Sequence, residues 1–422
     1  MATRVGRRIE WLVLLPLITC CLAATKIDIY FATSAFYDFG ALLCAALPYI
    51  LCLKLRGSLK HYVVTTMFLV GVIALSLIYG LVFFSHQGAS PIVSALTLRS
   101  WLYIMIAPAV WIMLNRGYSP SDVLSIFKWT SAMCLPVILY TLYTVDLLAM
   151  KKGVTSGVAE NLVRFDDARG FRLDVPHFFL MLSLISATFS VLFQRRFRIY
   201  NVLLLAVGGW AIYLSYSRVV LAAIPIALFL FGTILVFRMR VVRYVVAPVV
   251  VATYVACTPL ILSFSLAGHD TDRSAITRNV SLERANDVIG SYPILGYGQA
   301  ITSQLSYQNI FGADFFPSDL GTTGILFRFG YVGLAIYIVI AAAAVSGSWY
   351  AWGYAARLEG DYSMAALPIV VFMMAIVSFS WPAFLSLELP IAAFAIGCGM
   401  GLFGIKTPAS RRKEETGIAT GE

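Results

Sequence analysis

Residues 322–345 read TTGILFRFGYVGLAIYIVIAAAAV, and this stretch decides the fold class. An α-helix rises ~1.5 Å per residue, so roughly 20 mostly apolar residues cross the ~30 Å hydrocarbon core of a bilayer. The run meets this length and holds one charged residue, Arg328. It therefore predicts a transmembrane helix.

The rest of the chain has the same character. Apolar residues make up 60% of its 422 residues, charged residues make up 12%, and the mean hydropathy is +0.84. This composition excludes a soluble globular domain. We predict an all-α polytopic membrane protein with about twelve transmembrane helices, in which residues 1–405 form a single transmembrane domain. The predicted spans lie near residues 10–25, 36–53, 61–84, 98–114, 124–148, 176–193, 199–215, 219–237, 244–263, 322–345, 365–383 and 388–405.

Two polar segments interrupt the apolar pattern. They are loops of about 149–175 and 264–320, the larger of them between helices 9 and 10. Residues 406–422, which include RRKEETGIATGE, are predicted to form a disordered cytoplasmic tail.

The distribution of Lys and Arg predicts the orientation. Basic loops are retained on the cytoplasmic side, and most of the 31 basic residues face the cytoplasm if the N-terminus lies inside. We therefore expect both termini in the cytoplasm and both polar loops on the outer side. The net charge of +10 then reports topology, so no nucleic-acid partner is expected.

The first apolar run allows an alternative. Arg4, Arg7 and Arg8 precede 11–24, and this pattern also fits a secretory signal cleaved near Ala23. Cleavage would change the helix count and leave the orientation of the later spans unchanged. We expect the helix to be retained.

No metal site or cofactor is predicted. The four histidines show no i,i+3 or i,i+4 pairing, and the seven cysteines lie in or beside apolar spans, where they serve as small core residues.

The second loop carries the strongest sign of chemistry. Arg273, Arg278 and Arg284 precede SYPILGYG at 291–298. Residues 281–290, SLERANDVIG, predict a short amphipathic helix capped by Ser281, with Leu282, Ala285, Val288 and Ile289 on one side. Pro293, Gly296 and Gly298 then predict a tight return in which backbone amides can approach a ligand. Because guanidinium groups bind phosphate oxygens in bidentate fashion, the loop predicts a pyrophosphate site.

Further candidate cations lie outside this loop. Arg218 follows the turn SYS at the start of the eighth span, and Arg328 lies in the tenth. An arginine at membrane depth is costly and commonly functional, whereas snorkelling to lipid headgroups is the alternative. In the first loop, Arg172 and its neighbours either form a solvated charged hairpin or point back toward the second loop. Tyr297 is a candidate for stacking on a sugar ring, although an interfacial aromatic belt explains most of the tyrosines.

Three motifs carry a resemblance to a known family. SYSRVVLAAIPIALFLFG at 215–232, ERANDVIGSYPILGYGQA at 283–300 and SDLGTTGILFRFGYVGLAIYI at 318–338 resemble, in order, motifs of the O-antigen ligase and repeat-unit polymerase superfamily. The resemblance covers about residues 205–345. In the first half of the chain it extends only to the helix count and the outer loop before helix six.

The resemblance implies a function for several residues. It implies metal-independent, inverting transfer of a glycan from an undecaprenyl-pyrophosphate carrier at the periplasmic face of a bacterial inner membrane. Arg218 and Arg284 match the arginines that hold the pyrophosphate. Asp319 stands where ligases carry a histidine, which favours a polymerase of repeat units and makes Asp319 the candidate base. Arg278, Arg172, Arg328 and Tyr297 are secondary candidates for substrate binding.

The resemblance also implies partners, and other functions remain open. The expected partners are the lipid-linked oligosaccharide, the bilayer, a chain-length regulator and other membrane proteins of polysaccharide assembly. An O-antigen ligase is the first alternative, and a flippase for lipid-linked glycans is the alternative of another class, although we find no internal repeat. A metal-dependent glycosyltransferase would need Asp28 or Asp38 as a ligand.

Overall fold

The structure is a computed structural model that describes most of the chain. The described residues are 3–24, 35–88, 90–144, 163–166, 170–173, 175–194, 199–214, 223–224, 226–227, 273–300, 306–313 and 315–402.

Helices make up nearly all of the described residues. They are α1 (Thr3–Ala24), α2 (Ala35–Lys54), α3 (Leu59–Gln87), α4 (Pro91–Leu96), α5 (Ile106–Asn115), α6 (Pro120–Thr144), α7 (His177–Gln194), α8 (Ile199–Leu203), α9 (Gly209–Leu214), α10 (Arg273–Ser291), α11 (Tyr307–Phe311), α12 (Gly321–Tyr354), α13 (Ala366–Val377) and α14 (Leu389–Leu402).

Shorter elements join several of these helices. The 3₁₀ turns are Arg99–Met105, Pro317–Leu320, Tyr362–Ala365 and Ala383–Leu385, and π turns span Leu204–Gly208 and Ala355–Glu359. The first predicted outer loop contains the strands β1 (Val163–Asp166) and β2 (Gly170–Leu173), which pair antiparallel with Val163 opposite Leu173. This two-stranded hairpin is a local departure from the all-α prediction.

The helices fit the predicted fold class. By length and composition, four described helical segments can cross a membrane, namely Phe36–Lys54, Leu59–Gln87, Pro120–Tyr140 and Pro317–Glu359. Shorter apolar helices cover other predicted spans. The chain is thus a helical membrane protein. The predicted spans 219–237 and 244–263 and the tail 406–422 lie outside the described residues, apart from two short pieces of the first, so the count of about twelve stays a prediction.

Small residues bring the central helices into close contact. A Cβ atom at Gly347 of α12 would lie 1.9 Å from the carbonyl oxygen of Ala395 in α14. A Cβ atom at Gly397 would lie 2.5 Å from the carbonyl oxygen of Ala107 in α5. Membrane helices associate through such close backbone packing because lipid offers no hydrophobic gain on contact.

The bundle has two chemically different ends. At one end, Arg116 at the close of α5 donates to the backbone carbonyl of Arg56, and Lys60 lies over the Trp111 ring at 5.9 Å. At the other end, the last turn of α3 meets the chain between α10 and α11. The start of α3 therefore lies beside the basic residues Arg56, Lys60 and Arg116. The end of α3 lies beside α10 and the segment that follows it.

A buried carboxylate fixes the start of α7. Glu388 is 2% exposed and accepts hydrogen bonds from the backbone N–H groups of Phe178 and Phe179, the latter at 3.1 Å. These groups have no partner within their own helix because they belong to its first turn. Glu388 thus holds the chain that leaves the first outer loop against the segment before α14.

Glu388→Ala is expected to destabilise the protein by about 2–4 kcal/mol, because two buried N–H groups lose their acceptor. Glu388→Gln keeps an acceptor oxygen and should cost about 1 kcal/mol. Thermal unfolding of both variants in one detergent measures the difference. Equal stability of Glu388→Ala and wild type would contradict this role.

Candidate functional site

The predicted tenth span contains a sharp break. Helix α12 is interrupted at Gly330, which has φ 61° and ψ −165°. Only glycine adopts this region without a large cost. The break lies beside the turn at 292–298, so the glycine turn and the kinked helix form one structure.

The two segments exchange backbone hydrogen bonds. In a straight helix the N–H groups of Tyr331 and Val332 would bond the carbonyls of residues 327 and 328. Here these N–H groups donate to Pro293 and Ile294 at 2.9 and 3.1 Å. The carbonyls of Phe327 and Arg328 have therefore lost their helical donors, and they accept hydrogen bonds from the turn instead.

The N–H of Tyr297 donates to the Phe327 carbonyl at 2.8 Å, and the N–H of Gly298 donates to the Arg328 carbonyl at 2.9 Å. The Tyr79 hydroxyl donates to the carbonyl of Phe329 at 3.1 Å. The backbone groups opened by the kink therefore have partners, as apolar surroundings require.

Glycine is required where the two backbones meet. A Cβ at Gly330 would lie 2.2 Å from the Ile294 oxygen, and one at Gly296 would lie 2.6 Å from the N atoms of Phe329 and Gly330. A Cβ at Gly298 would lie 2.5 Å from the Phe83 nitrogen in α3. The prediction of a tight glycine turn is confirmed, and its amides bind the kinked helix.

The predicted amphipathic helix is longer than expected. Helix α10 begins at Arg273 and continues through Ser281, so the prediction that Ser281 caps it is wrong. Ser281 is buried and accepts a hydrogen bond from the N–H of Phe316 at 3.2 Å. A long-range contact therefore uses the hydroxyl that the local pattern assigned to a cap.

An aromatic cluster lies under α10 and holds the turn. It consists of Phe83, Tyr297, Tyr307, Phe311, Phe315 and Phe327. The apolar side of α10 packs on the cluster through Ala285, Leu282, Val288 and Ile289, as the sequence predicts.

Tyr307 joins the cluster to the end of the turn. Its hydroxyl donates to the Gly298 carbonyl at 2.5 Å and accepts from the N–H of Ala300 at 3.0 Å. Burial raises the pKa of the Tyr307 phenol, which keeps the donor proton in place.

Arg284 projects from α10 beside this cluster. Its Nη1 donates to the carbonyl of Phe311, and the side chain is partly buried. Gly312, at φ 103°, leaves the space: a Cβ there would lie 2.6 Å from Nη1. Among the described residues, no carboxylate lies within ion-pair distance of this guanidinium.

Asp319 lies in the 3₁₀ turn that opens α12. It is exposed, and the Ser318 hydroxyl lies 3.3 Å from its Oδ1. The turn packs closely on the following helix, since a Cβ at Gly324 would lie 1.8 Å from the Pro317 oxygen. The bond from Phe316 to Ser281 ties this segment to α10, the helix of Arg284.

Part of the chain matches a known protein family. The family model described as O-antigen ligase matches residues 202–338. Residues 202–338 thus resemble the O-antigen ligase family. No curated protein matches the chain.

The match covers three parts of this structure. Helix α10, the glycine turn and the kink at Gly330 all fall within 202–338, which is less than half of the chain. The match supports glycan transfer of the ligase or polymerase type and does not separate the two.

The remaining predicted site residues have different surroundings. The partly buried Arg328 lies two residues before the kink at Gly330. Its Nε donates to the Gly324 carbonyl at 3.2 Å, and its guanidinium lies 5.0 Å from the Phe329 ring centre. Arg278 is partly buried on α10. Arg172 occupies β2 opposite Arg164, and Arg218 lies outside the described residues.

Tyr297 is enclosed by protein. It is 7% exposed, its ring stacks on His86 at 4.8 Å and on Phe327 at 5.8 Å, and its hydroxyl accepts from Gln87 Nε2. The neighbouring Tyr292 is 41% exposed. The Tyr297 ring is therefore enclosed by side chains of the fold.

Sequence reasoning did not anticipate the part played by α3. His86 lies 3.1 Å through Nδ1 from the Tyr297 carbonyl, and Tyr79 binds the kink. The signal in the sequence is weak: polar residues end an apolar span. Nothing local links them to a turn more than 200 residues later.

Proposed function

We propose that this protein polymerises undecaprenyl-pyrophosphate-linked oligosaccharide repeat units at the periplasmic face of the inner membrane. In this hypothesis the transfer is inverting and independent of metal. A sugar hydroxyl attacks the anomeric carbon, the bond from that carbon to the pyrophosphate oxygen breaks, and lipid pyrophosphate leaves. The family match supports the general class of reaction.

The observation that carries the proposal is the setting of Arg284. Its guanidinium is partly buried, bonds a neutral carbonyl and has no carboxylate partner among the described residues. A cation held in this way keeps its charge for an external anion. Since the leaving pyrophosphate gains negative charge in the transition state, a fixed guanidinium stabilises it. Arg218 is proposed to share this role.

Other features support the outer location. Arg56, Lys60 and Arg116 lie at the end of the bundle opposite α10. Basic residues are retained on the cytoplasmic side. This distribution favours a periplasmic position for α10 and the glycine turn.

The remaining site residues receive revised or secondary roles. Arg278, Arg328 and Arg172 are proposed to bind the substrate. Tyr297 is proposed to position the glycine turn, because its ring is buried among other rings, and Tyr292 offers the exposed aromatic surface for sugar.

Asp319 is proposed as the base that takes the proton of the attacking hydroxyl. Asp319→Asn is expected to slow transfer by about 10²-fold, the low end for acid–base groups, because this carboxylate is exposed. Ser318→Ala, which removes only the neighbouring hydroxyl, should change the rate by less than about 10-fold. Initial rates with a lipid-linked repeat unit measure both. An unchanged rate in Asp319→Asn would remove it from the mechanism.

The metal-dependent alternative is disfavoured at Asp38. This carboxylate forms an ion pair with Arg99, whose guanidinium also lies 4.4 Å from the Tyr37 ring centre. A cation already neutralises Asp38, which weakens it as a metal ligand. Added chelator should therefore leave transfer unchanged.

One reconstitution tests the proposal. Purified protein receives a lipid-linked repeat unit without metal or nucleotide, and the products are separated on a gel. A ladder with repeat-unit spacing establishes a polymerase, whereas transfer of a single glycan to an added lipid A-core acceptor establishes a ligase. Movement of the lipid across vesicles without transfer would replace the enzyme with a flippase.

A further inference from the structure

The glycine turn exposes large apolar side chains although it belongs to a polar loop. Ile294 is 66% exposed and Leu295 is 37% exposed. On the kinked helix beside them, Tyr331 is 58% exposed and Val332 is 39% exposed. The bonds from Tyr331 to Pro293 and from Val332 to Ile294 make these side chains one patch. We call Ile294, Leu295, Tyr331 and Val332 the turn patch.

The level of the turn along the bundle follows from its contacts with α3. Gly298 packs against the backbone of Phe83, and Gly296 lies against α12 at Phe329, whose carbonyl binds Tyr79. Leu81 and Phe84 of α3 are 54% and 48% exposed, and polar residues begin only at Ser85. The turn patch therefore lies level with the last apolar turn of α3.

A helix that crosses a membrane exposes apolar side chains to lipid, and polar residues mark where the hydrocarbon ends. By this measure the turn patch lies at the edge of the hydrocarbon region, because the same turn packs on Phe83 and also meets His86 and Gln87 in the polar end of α3. We propose that residues 293–296 re-enter the membrane and that the turn patch contacts the acyl chains of the bilayer.

The backbone arrangement makes this placement possible. Irregular backbone at membrane depth is tolerated only where its polar groups have partners. The N–H groups of Tyr297 and Gly298 donate to carbonyls of the kinked helix. The carbonyls of Pro293 and Ile294 accept hydrogen bonds from N–H groups of the same helix. The turn thus presents its side chains to lipid while its polar backbone faces α12.

This inference requires only that α3 and α12 cross a bilayer, so it stands apart from the proposed reaction. Its consequence is that the segment linking α10 to the aromatic cluster is anchored at the membrane surface. A headgroup at that surface would meet the exposed edge of α10 without leaving the bilayer.

Cysteine labelling in proteoliposomes tests the placement. Ile294→Cys is compared with Asn286→Cys, an exposed polar position of α10, and with the wild-type protein, whose cysteines in the described residues are free and buried. A charged, membrane-impermeant maleimide should react with Ile294→Cys at least about 10-fold more slowly than with Asn286→Cys, because a thiol in apolar surroundings stays protonated.

A second measurement identifies what covers the patch. An environment-sensitive fluorophore is attached to each cysteine through a membrane-permeant reagent. Lipids that carry a nitroxide on the acyl chain should quench the fluorophore on Ile294→Cys and should not quench the one on Asn286→Cys. Equal maleimide rates would overturn the inference. Slow labelling without quenching by lipid would also overturn it, since protein would then cover the patch. Neither readout depends on glycan transfer.

Discussion

Replacing Arg284 with alanine is expected to slow glycan transfer by about 10²- to 10³-fold, the effect of removing one preorganised donor from a developing anion. The side chain is held by the Phe311 carbonyl and the space above Gly312, so it costs little to orient when the leaving group forms. Single-turnover rates with a lipid-linked repeat unit measure the loss.

The matched controls separate charge from structure. Arg284→Lys keeps the charge and loses the planar fork, so it should recover only part of the rate. Glu283→Ala changes the exposed neighbour on α10 and should leave both rate and stability near wild type. A wild-type rate in Arg284→Ala would show that Arg284 does not stabilise the leaving pyrophosphate. A fall in thermal stability that matches the loss of rate would assign Arg284 to the fold.

Much of the helical fold follows from the sequence because membrane crossing imposes a simple requirement on length and polarity. The predicted spans near 36–53 and 61–84 correspond closely to α2 and α3. The apolar side of α10 is likewise predicted, since Ala285 and Leu282 pack on the aromatic cluster as their spacing indicates. These features depend on near neighbours in the chain.

Features that depend on distant contacts were not predicted. The pattern of 281–290 does not reveal that α10 begins at Arg273, or that Ser281 binds the backbone of Phe316. The role of Glu388 also requires α7 to lie against it, because its acceptor atoms serve N–H groups about 210 residues earlier. Local capping rules consider only residues near in sequence, so they cannot predict hydrogen-bond partners this far apart in the chain.

The candidate site shows the same division. Residue type and spacing made Arg284 and the glycine turn candidates for an anion site, and the family resemblance added Asp319 as the candidate base. It did not show that Tyr297 is enclosed by His86 and Phe327, since the stacking joins three separate segments. Residue type therefore suggests candidates for chemistry, but it does not predict which distant side chains surround them.

Gly330→Ala is expected to disrupt both the fold of the site and its activity. The backbone at φ 61° and ψ −165° costs a residue with a side chain about 1–3 kcal/mol. The added Cβ would also lie 2.2 Å from the Ile294 oxygen, so the turn must move away from α12. Separation leaves the opened backbone groups of the kink without partners in apolar surroundings, which adds to the cost. We expect a large fall in thermal stability and loss of detectable transfer.

Gly353→Ala provides the control within the same helix. No atom lies within 4 Å of a Cβ built at Gly353, and alanine favours a helix over glycine by roughly 0.5–1 kcal/mol. This variant should match or exceed the stability of wild type and keep its activity. If Gly330→Ala behaved like Gly353→Ala in thermal unfolding, helix α12 would be straight at this position and the exchange of bonds with the turn would be wrong. If Gly330→Ala unfolded at a lower temperature than wild type and Gly353→Ala did not, the kink at Gly330 would be required for the fold that connects the membrane span to Arg284.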